Sequence, residues 1–297
     1  TELLITKALT ITGPGSGLLS VTNIAGASAT SRVFNNSNAT GLVTISGLTI
    51  SGGNLLDADG GGILMSAAGS MTLDSVIVTS NLASSATANL ADGGGISNRG
   101  TLSMGFTSLS KNKTLVDGGG LYNGPGSRAT FVKSTVTRNG AQYGGGIYND
   151  AGRVTLNTTI VAGNSNQGRD CFQADLVPTL SYGHNLTGPS CPRDAGQGDL
   201  TVDPRTVFTQ VLGPLQNNGG LTFTHALLPG SPALDAGDPA KCSGTDQRGV
   251  PGSATCEDRH AVHGGQLRFG DLHFFEEHPA RVLGDAPEDR LAGRGRL

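Results

Sequence analysis

Apolar and polar residues alternate in short bursts along the first two-thirds of the chain, and the bursts recur. In Ser70-Met71-Thr72-Leu73 and in Arg153-Val154-Thr155-Leu156 every second side chain is apolar, the period of a strand with one face buried. A second kind of burst closes on asparagine: Val76-Ile77-Val78-Thr79-Ser80-Asn81, Thr107-Ser108-Leu109-Ser110-Lys111-Asn112, Ser134-Thr135-Val136-Thr137-Arg138-Asn139 and Thr159-Ile160-Val161-Ala162-Gly163-Asn164. A third follows a glycine triplet: Ile96-Ser97-Asn98, Leu121-Tyr122-Asn123 and Ile147-Tyr148-Asn149, with Ile63-Leu64-Met65 as a degenerate copy. The apolar runs are short, rich in Val, Ile and Thr, and bounded by Gly and Asn, which predicts strands rather than helices.

The triplets open at Gly60, Gly93, Gly118 and Gly144, 33, 25 and 26 residues apart, and the closing asparagines recur after 31, 27 and 25. Each unit of about 25 residues therefore predicts three short strands. A unit this small cannot bury its apolar side alone, so like strands must stack on like strands in parallel sheets. The predicted fold is all-β: a right-handed, single-stranded parallel β-helix with an irregular C-terminal cap. Segments 8–13, 32–34 and 42–53 carry the same grammar and predict about two further coils at the N-terminal end. Residues 83–91 lengthen one repeat and predict a loop projecting from a turn. Residues 1–165 are expected to form the repeats, 166–256 terminal coils and a disulfide-linked cap, and 257–297 a divergent, poorly ordered tail.

Triplet glycines suit turns that need positive φ or a close approach between coils. Asparagine at equivalent corners can take left-handed φ and bond through its side-chain amide to the asparagine above and below. Two such ladders are expected, Asn98-Asn123-Asn149 and Asn81-Asn112-Asn139-Asn164. The plainer alternative is an exposed turn at each position.

Composition sharpens this picture. The chain has 297 residues, 47 of them Gly, only 4% aromatic and no Trp, so thin layers of Val, Ile, Leu and Ala must fill the core. A net charge of −3 with 14% charged residues supplies no field for nucleic acid or an anionic membrane. No apolar run is long enough to span a bilayer as a helix. The start at Thr1 is strand-like, without a signal-peptide pattern, and reads as a fragment or processed chain. The four cysteines fall in two local pairs, Cys171 with Cys191 and Cys242 with Cys256, which suggests two loop-closing disulfides and an oxidising compartment; four cysteines allow three pairings, and four unrelated thiols are the alternative.

The repeats resemble bacterial surface proteins with pectin-lyase-like β-helix repeats, including those with a C-terminal choice-of-anchor domain, and the Gly-Gly-Gly-Ile-Tyr-Asn text is similar to repeats of polymorphic outer-membrane proteins. The likeness runs from about 40 to 250, through Asp170-Cys171, Gly183-His184-Asn185-Leu186, Leu212 to Gly220, His225 to Gly237 and Thr245 to Pro251. After Cys256 the chain departs from that pattern, with Glu257-Asp258-Arg259-His260 where a final strand would follow. The resemblance implies location and fold more than activity: an extracellular or outer-surface scaffold, adhesive towards polysaccharide or cell-surface protein. The rival it brings is a polysaccharide lyase or other carbohydrate-active enzyme. Such an enzyme needs clustered carboxylates, with calcium and a basic residue for a lyase. Asp59, Asp92 and Asp117 each precede a triplet, so they read first as turn formers and second as a column that could hold calcium. Asp57-Ala58-Asp59-Gly60 opens like a calcium loop but lacks the later Glu. His184 reads as a cap residue, and His260 with His263 as solvated. No cofactor and no catalytic set is expected. Thr135, Thr137, Thr158 and Thr159 do not align into the flat outward column that ice binding would use.

Overall fold

The computed structural model describes residues 2–24, 30–66, 69–86, 91–165, 169–175, 179–192, 197–238 and 246–248. The chain is an all-β parallel solenoid. Its first sheet holds seven strands, from Leu3–Ile5 to Cys171–Gln173; its second holds seven, from Leu9–Thr12 to Leu180–Ser181; its third holds eight, from Ser20–Thr22 to Leu200–Thr201. Every neighbour within these sheets is parallel, and equivalent repeat positions pair: Ile96 with Leu121 and Leu121 with Ile147, Leu102 with Ala129, Leu109 with Val136.

Inward-facing residues make continuous columns. Phe34, Ile63, Ile96, Leu121, Ile147 and Cys171 line the first sheet. On the second sheet Ile45, Leu73, Met104, Phe131 and Leu156 form one file and Val43, Met71, Leu102, Ala129 and Val154 another. The small Ala129 shares a coil with the large Phe131, which keeps that layer's volume near its neighbours'. All belong to one apolar core. At its C-terminal end the core is closed by the Cys171–Cys191 disulfide, both sulfurs buried. At the other end Leu3, Leu4 and Leu9 are exposed. Cys242, Cys256 and the segment 257–297, with His260 and His263, lie outside the described residues.

Two expectations change. Ala83 does not begin a projecting loop: it is buried in Leu82–Ser84, the middle strand of a fourth, short sheet between Asn54–Leu56 and Lys113–Thr114. Left-handed φ falls on none of the ladder asparagines, and along the file Asn81-Asn112-Asn139-Asn164 it falls on the residue before each, at Ser80, Lys111, Arg138 and Gly163. The kink there turns the asparagine inward, where its amide rather than its φ is used.

Beyond residue 201 the chain does more than close an end. A π-helical turn, Val207–Val211, leads into an antiparallel hairpin of Leu212–Gln216 with Thr224–Leu227. Val207, Val211, Leu212 and Leu227 form a second apolar cluster with Ile160 and Ala162. In that strand Val161 faces the core, so Ile160 and Ala162 point outward, and the cluster sits on the outside of the third sheet. The same cover explains why Ser108, Ser110, Thr135 and Thr137 are buried although they flank the inward Leu109 and Val136. The hairpin tip reaches the first coil, where the Gly17 N–H donates to the Leu221 carbonyl at 3.0 Å. A buried Arg248–Asp246 pair backs the tip, Arg248 donating to the Asn218 carbonyl. Coils of a bare solenoid contact only their neighbours and fray from the ends; this strap ties the first coil to the last.

Candidate functional site

The corner between the third sheet and the glycine triplets is built from two sequence motifs that meet in space. Nδ2 of Asn81 donates to Oδ1 of Asn112 at 3.0 Å, Asn112 to Asn139 at 3.0 Å and Asn139 to Asn164 at 2.9 Å. Each Oδ1 also accepts the backbone N–H of the preceding asparagine, and each Nδ2 gives its other hydrogen to a third-sheet carbonyl. All four are buried. The file points its donors one way, so its last member needs an acceptor, and Asp170 supplies it: one carboxylate oxygen takes both the backbone and the side-chain N–H of Asn164. Burial pushes the Asp170 carboxyl up to about 6, while those bonds pull the other way. The third glycine of each triplet lies against this file. A Cβ on Gly95 would sit 2.6 Å from the Gly120 carbonyl oxygen and 3.0 Å from the Asn112 amide carbon. The first glycines, Gly60, Gly93, Gly118 and Gly144, all have positive φ.

At the first-to-second-sheet corner Asn98 donates to Asn123, and Asn123 to Asn149, each at 2.8 Å. A third file, which the sequence does not announce, runs between the second and third sheets. The Thr107 N–H donates to Ser134, Ser134 to Thr159 and Thr159 to Asn185, and Asp199 closes it by accepting two N–H groups from Asn185. His184 beside it has positive φ and shares a hydrogen bond with the Ala236 carbonyl.

Outside the corners, two faces carry rows of aromatic, acidic or hydroxyl side chains. On the first sheet, rings stack coil on coil: Tyr122 on Tyr148 with centroids 5.7 Å apart, Tyr148 on Phe172 at 5.2 Å. Arg99 closes one end of the stack and Arg169 the other. The ring faces are therefore occupied by one another. Beside them runs the acidic row. Asp59 pairs with Arg99, Asp117 stands beside the Tyr148 hydroxyl, which opposes the rise of its pKa, and Asp150 accepts from the Tyr122 hydroxyl at 2.7 Å. Burial, with Asp59 and Asp117 adding to it, pushes the Asp92 carboxyl up to about 7, and burial pushes Asp117 up to about 6. Among the described residues no group of three or more His, Cys, Asp or Glu is placed to hold a metal ion.

These raised carboxyls fix a pH dependence. An acid whose pKa rises on folding adds stability that is full below its unfolded value near 4 and is lost as pH climbs through the folded value. His225, held neutral by burial with a pKa near 4, acts in the opposite sense, so the parent curve mixes the two. Asp92→Asn isolates the carboxyl. The variant should gain more thermal stability over the parent at pH 8 than at pH 5, the difference growing until about pH 7. An equal shift at both pH values would contradict the assignment.

The second sheet presents the open face. Register places Thr10, Thr44, Thr72, Ser103, Thr130 and Thr155 in one outward column, one hydroxyl per coil. Strand spacing sets these about 4.8 Å apart. Among the described residues no side-chain hydrogen bond occupies them. The threonines named from sequence lie elsewhere: Thr135 and Thr137 under the strap, Thr158 and Thr159 in a corner. At the C-terminal end of the column a shallow groove of about 410 Å³ is lined by Arg128, Thr130, Arg153, Thr155, Asn157 and Tyr182.

Comparison with protein-family models, with curated proteins and with solved structures finds no match.

Proposed function

We propose that this chain is a non-enzymatic, extracellular or outer-surface scaffold that binds glycan along the exposed face of its second sheet, in the manner of the pectin-lyase-like surface proteins its repeats resemble. The observation that carries the reading is the unbroken hydroxyl column. Six hydroxyls at a regular spacing, none engaged by another described residue, form a linear set of donors and acceptors along the solenoid axis, and a sugar polymer offers hydroxyls in a line. The disulfide at the end of the core supports an oxidising location.

The test is a glycan array probed with the parent and with a Thr44→Val, Thr72→Val, Thr130→Val, Thr155→Val variant, which keeps the β-branched shape and removes four hydroxyls. At about 0.5 kcal/mol or more per lost bond, affinity should fall at least about thirtyfold with thermal stability unchanged. Equal binding by both proteins would move the site off this face.

A second reading, carbohydrate-active chemistry, is favoured by one observation. Asp92 and Asp117 lie on adjacent coils with raised pKa values near 7 and 6, the range suited to proton transfer. Incubation with a panel of acidic polysaccharides, with and without calcium, decides it: new unsaturated or reducing ends would replace the scaffold reading with an enzyme.

A further inference from the structure

We infer that Arg128 and Arg153 form an anion clamp at the C-terminal end of the hydroxyl column, so that the glycan this face prefers carries carboxylate or sulfate-ester groups. The inference rests on the glycan-binding reading above and names its ligand class.

Eight arginines are described, and six have an evident partner. Arg32, Arg99, Arg205 and Arg248 each pair with a carboxylate. Arg138 lies over the Phe208 ring and Arg169 over Phe172. Arg128 and Arg153 have neither, and both are exposed. They are also direct register partners on neighbouring strands, which sets their backbones one coil, about 4.8 Å, apart. Two like charges held side by side repel. On the preceding coils their column continues with the uncharged Thr101 and Ser70. The acid on this face, Asp74, stands at the opposite edge of the sheet, two coils from Arg128.

An oxyanion placed between the two guanidinium groups removes the repulsion and takes paired N–H donors from each planar fork. The walls of the groove suit the rest of a sugar. Thr130 and Thr155 supply hydroxyls, Asn157 an amide, and Tyr182 a half-exposed ring against which an apolar sugar face can pack.

The experiment measures binding of the full chain to three polymers: dextran as the neutral probe, alginate for carboxylate and dextran sulfate for sulfate ester. At least one anionic polymer should bind ten times or more tighter than dextran, and the preference should shrink as salt is added. Arg128→Gln with Arg153→Gln should bring the anionic polymer down to the level of dextran without lowering thermal stability, while Arg205→Gln, an exposed but ion-paired control, should change nothing. Which polymer shows the preference identifies the anion. Dextran binding as tight as both anionic polymers, or a preference that survives the double variant, overturns the clamp and leaves glycan binding standing. No binding to any polymer, together with an empty glycan array, overturns both.

Discussion

Replacing Asn139 by alanine should lower the free energy of unfolding by about 3 to 5 kcal/mol, a loss usually associated with emptying a core. Asn139 is fully buried, and its side chain and backbone N–H together make five hydrogen bonds. Its Oδ1 accepts the backbone and side-chain N–H of Asn112, its Nδ2 donates to the Leu109 carbonyl and to Asn164, and its own backbone N–H donates to Asn164. Truncation removes the acceptor of two buried donors on Asn112, and the alanine methyl offers them nothing. Each orphaned buried donor costs about 1 to 3 kcal/mol, and the emptied volume adds to that. Urea unfolding of the parent and the variant measures the difference. A loss below about 1 kcal/mol would mean that solvent or a relaxed corner satisfies these groups, and the ladder would be incidental.

Gly120→Ala should cost about 3 kcal/mol, although the residue has an ordinary φ and alanine usually favours order over glycine. The new methyl would lie 2.6 Å from the Gly146 carbonyl oxygen and 3.1 Å from the Asn139 amide nitrogen. Both belong to the coil-to-coil contact, so neither can retreat without separating coils that the sheets hold in register. The two variants are also coupled. In Gly120→Ala combined with Asn139→Ala the amide is gone and part of the clash with it, so the joint loss should fall short of the sum by about 0.5 kcal/mol or more. Strict additivity would show that the triplet and the asparagine file do not touch.

Much of this was legible in the text of the chain because a solenoid writes its contacts as repetition. Asn81, Asn112, Asn139 and Asn164 recur in phase with the strand before them, so their alignment follows from the period. Asp170 escapes the same reasoning, since it follows Asn164 by six residues and belongs to no repeat. The file from Thr107 through Ser134, Thr159 and Asn185 to Asp199 escapes for another reason: its members share a hydrogen-bonding role and no common identity. The hydroxyl column is hidden by register. Thr72 and Ser103 sit in strands whose texts differ, and only pairing Met71 with Leu102 shows that they are neighbours. The strap is the least legible element. That Leu221 meets Gly17 is a contact between residues some two hundred positions apart, and no local pattern encodes it. The same strap buries Thr135 and Thr137, a cover that their own strand does not announce.

The corner sets the distance between coils, and the open face depends on it: a hydroxyl column is regular only if every coil stands at the same height above the last. The measurement that tests this most directly is the scalar coupling transmitted across hydrogen bonds in isotope-labelled protein. Coupling should be seen from the backbone nitrogen of Asn81 to the side-chain carbonyl carbon of Asn112, then from Asn112 to Asn139, Asn139 to Asn164, and Asn164 to the Asp170 carboxyl carbon. Absence of all four couplings, with these backbone amides exchanging as fast as those of exposed turns, would contradict the structure of the corner and the face built upon it.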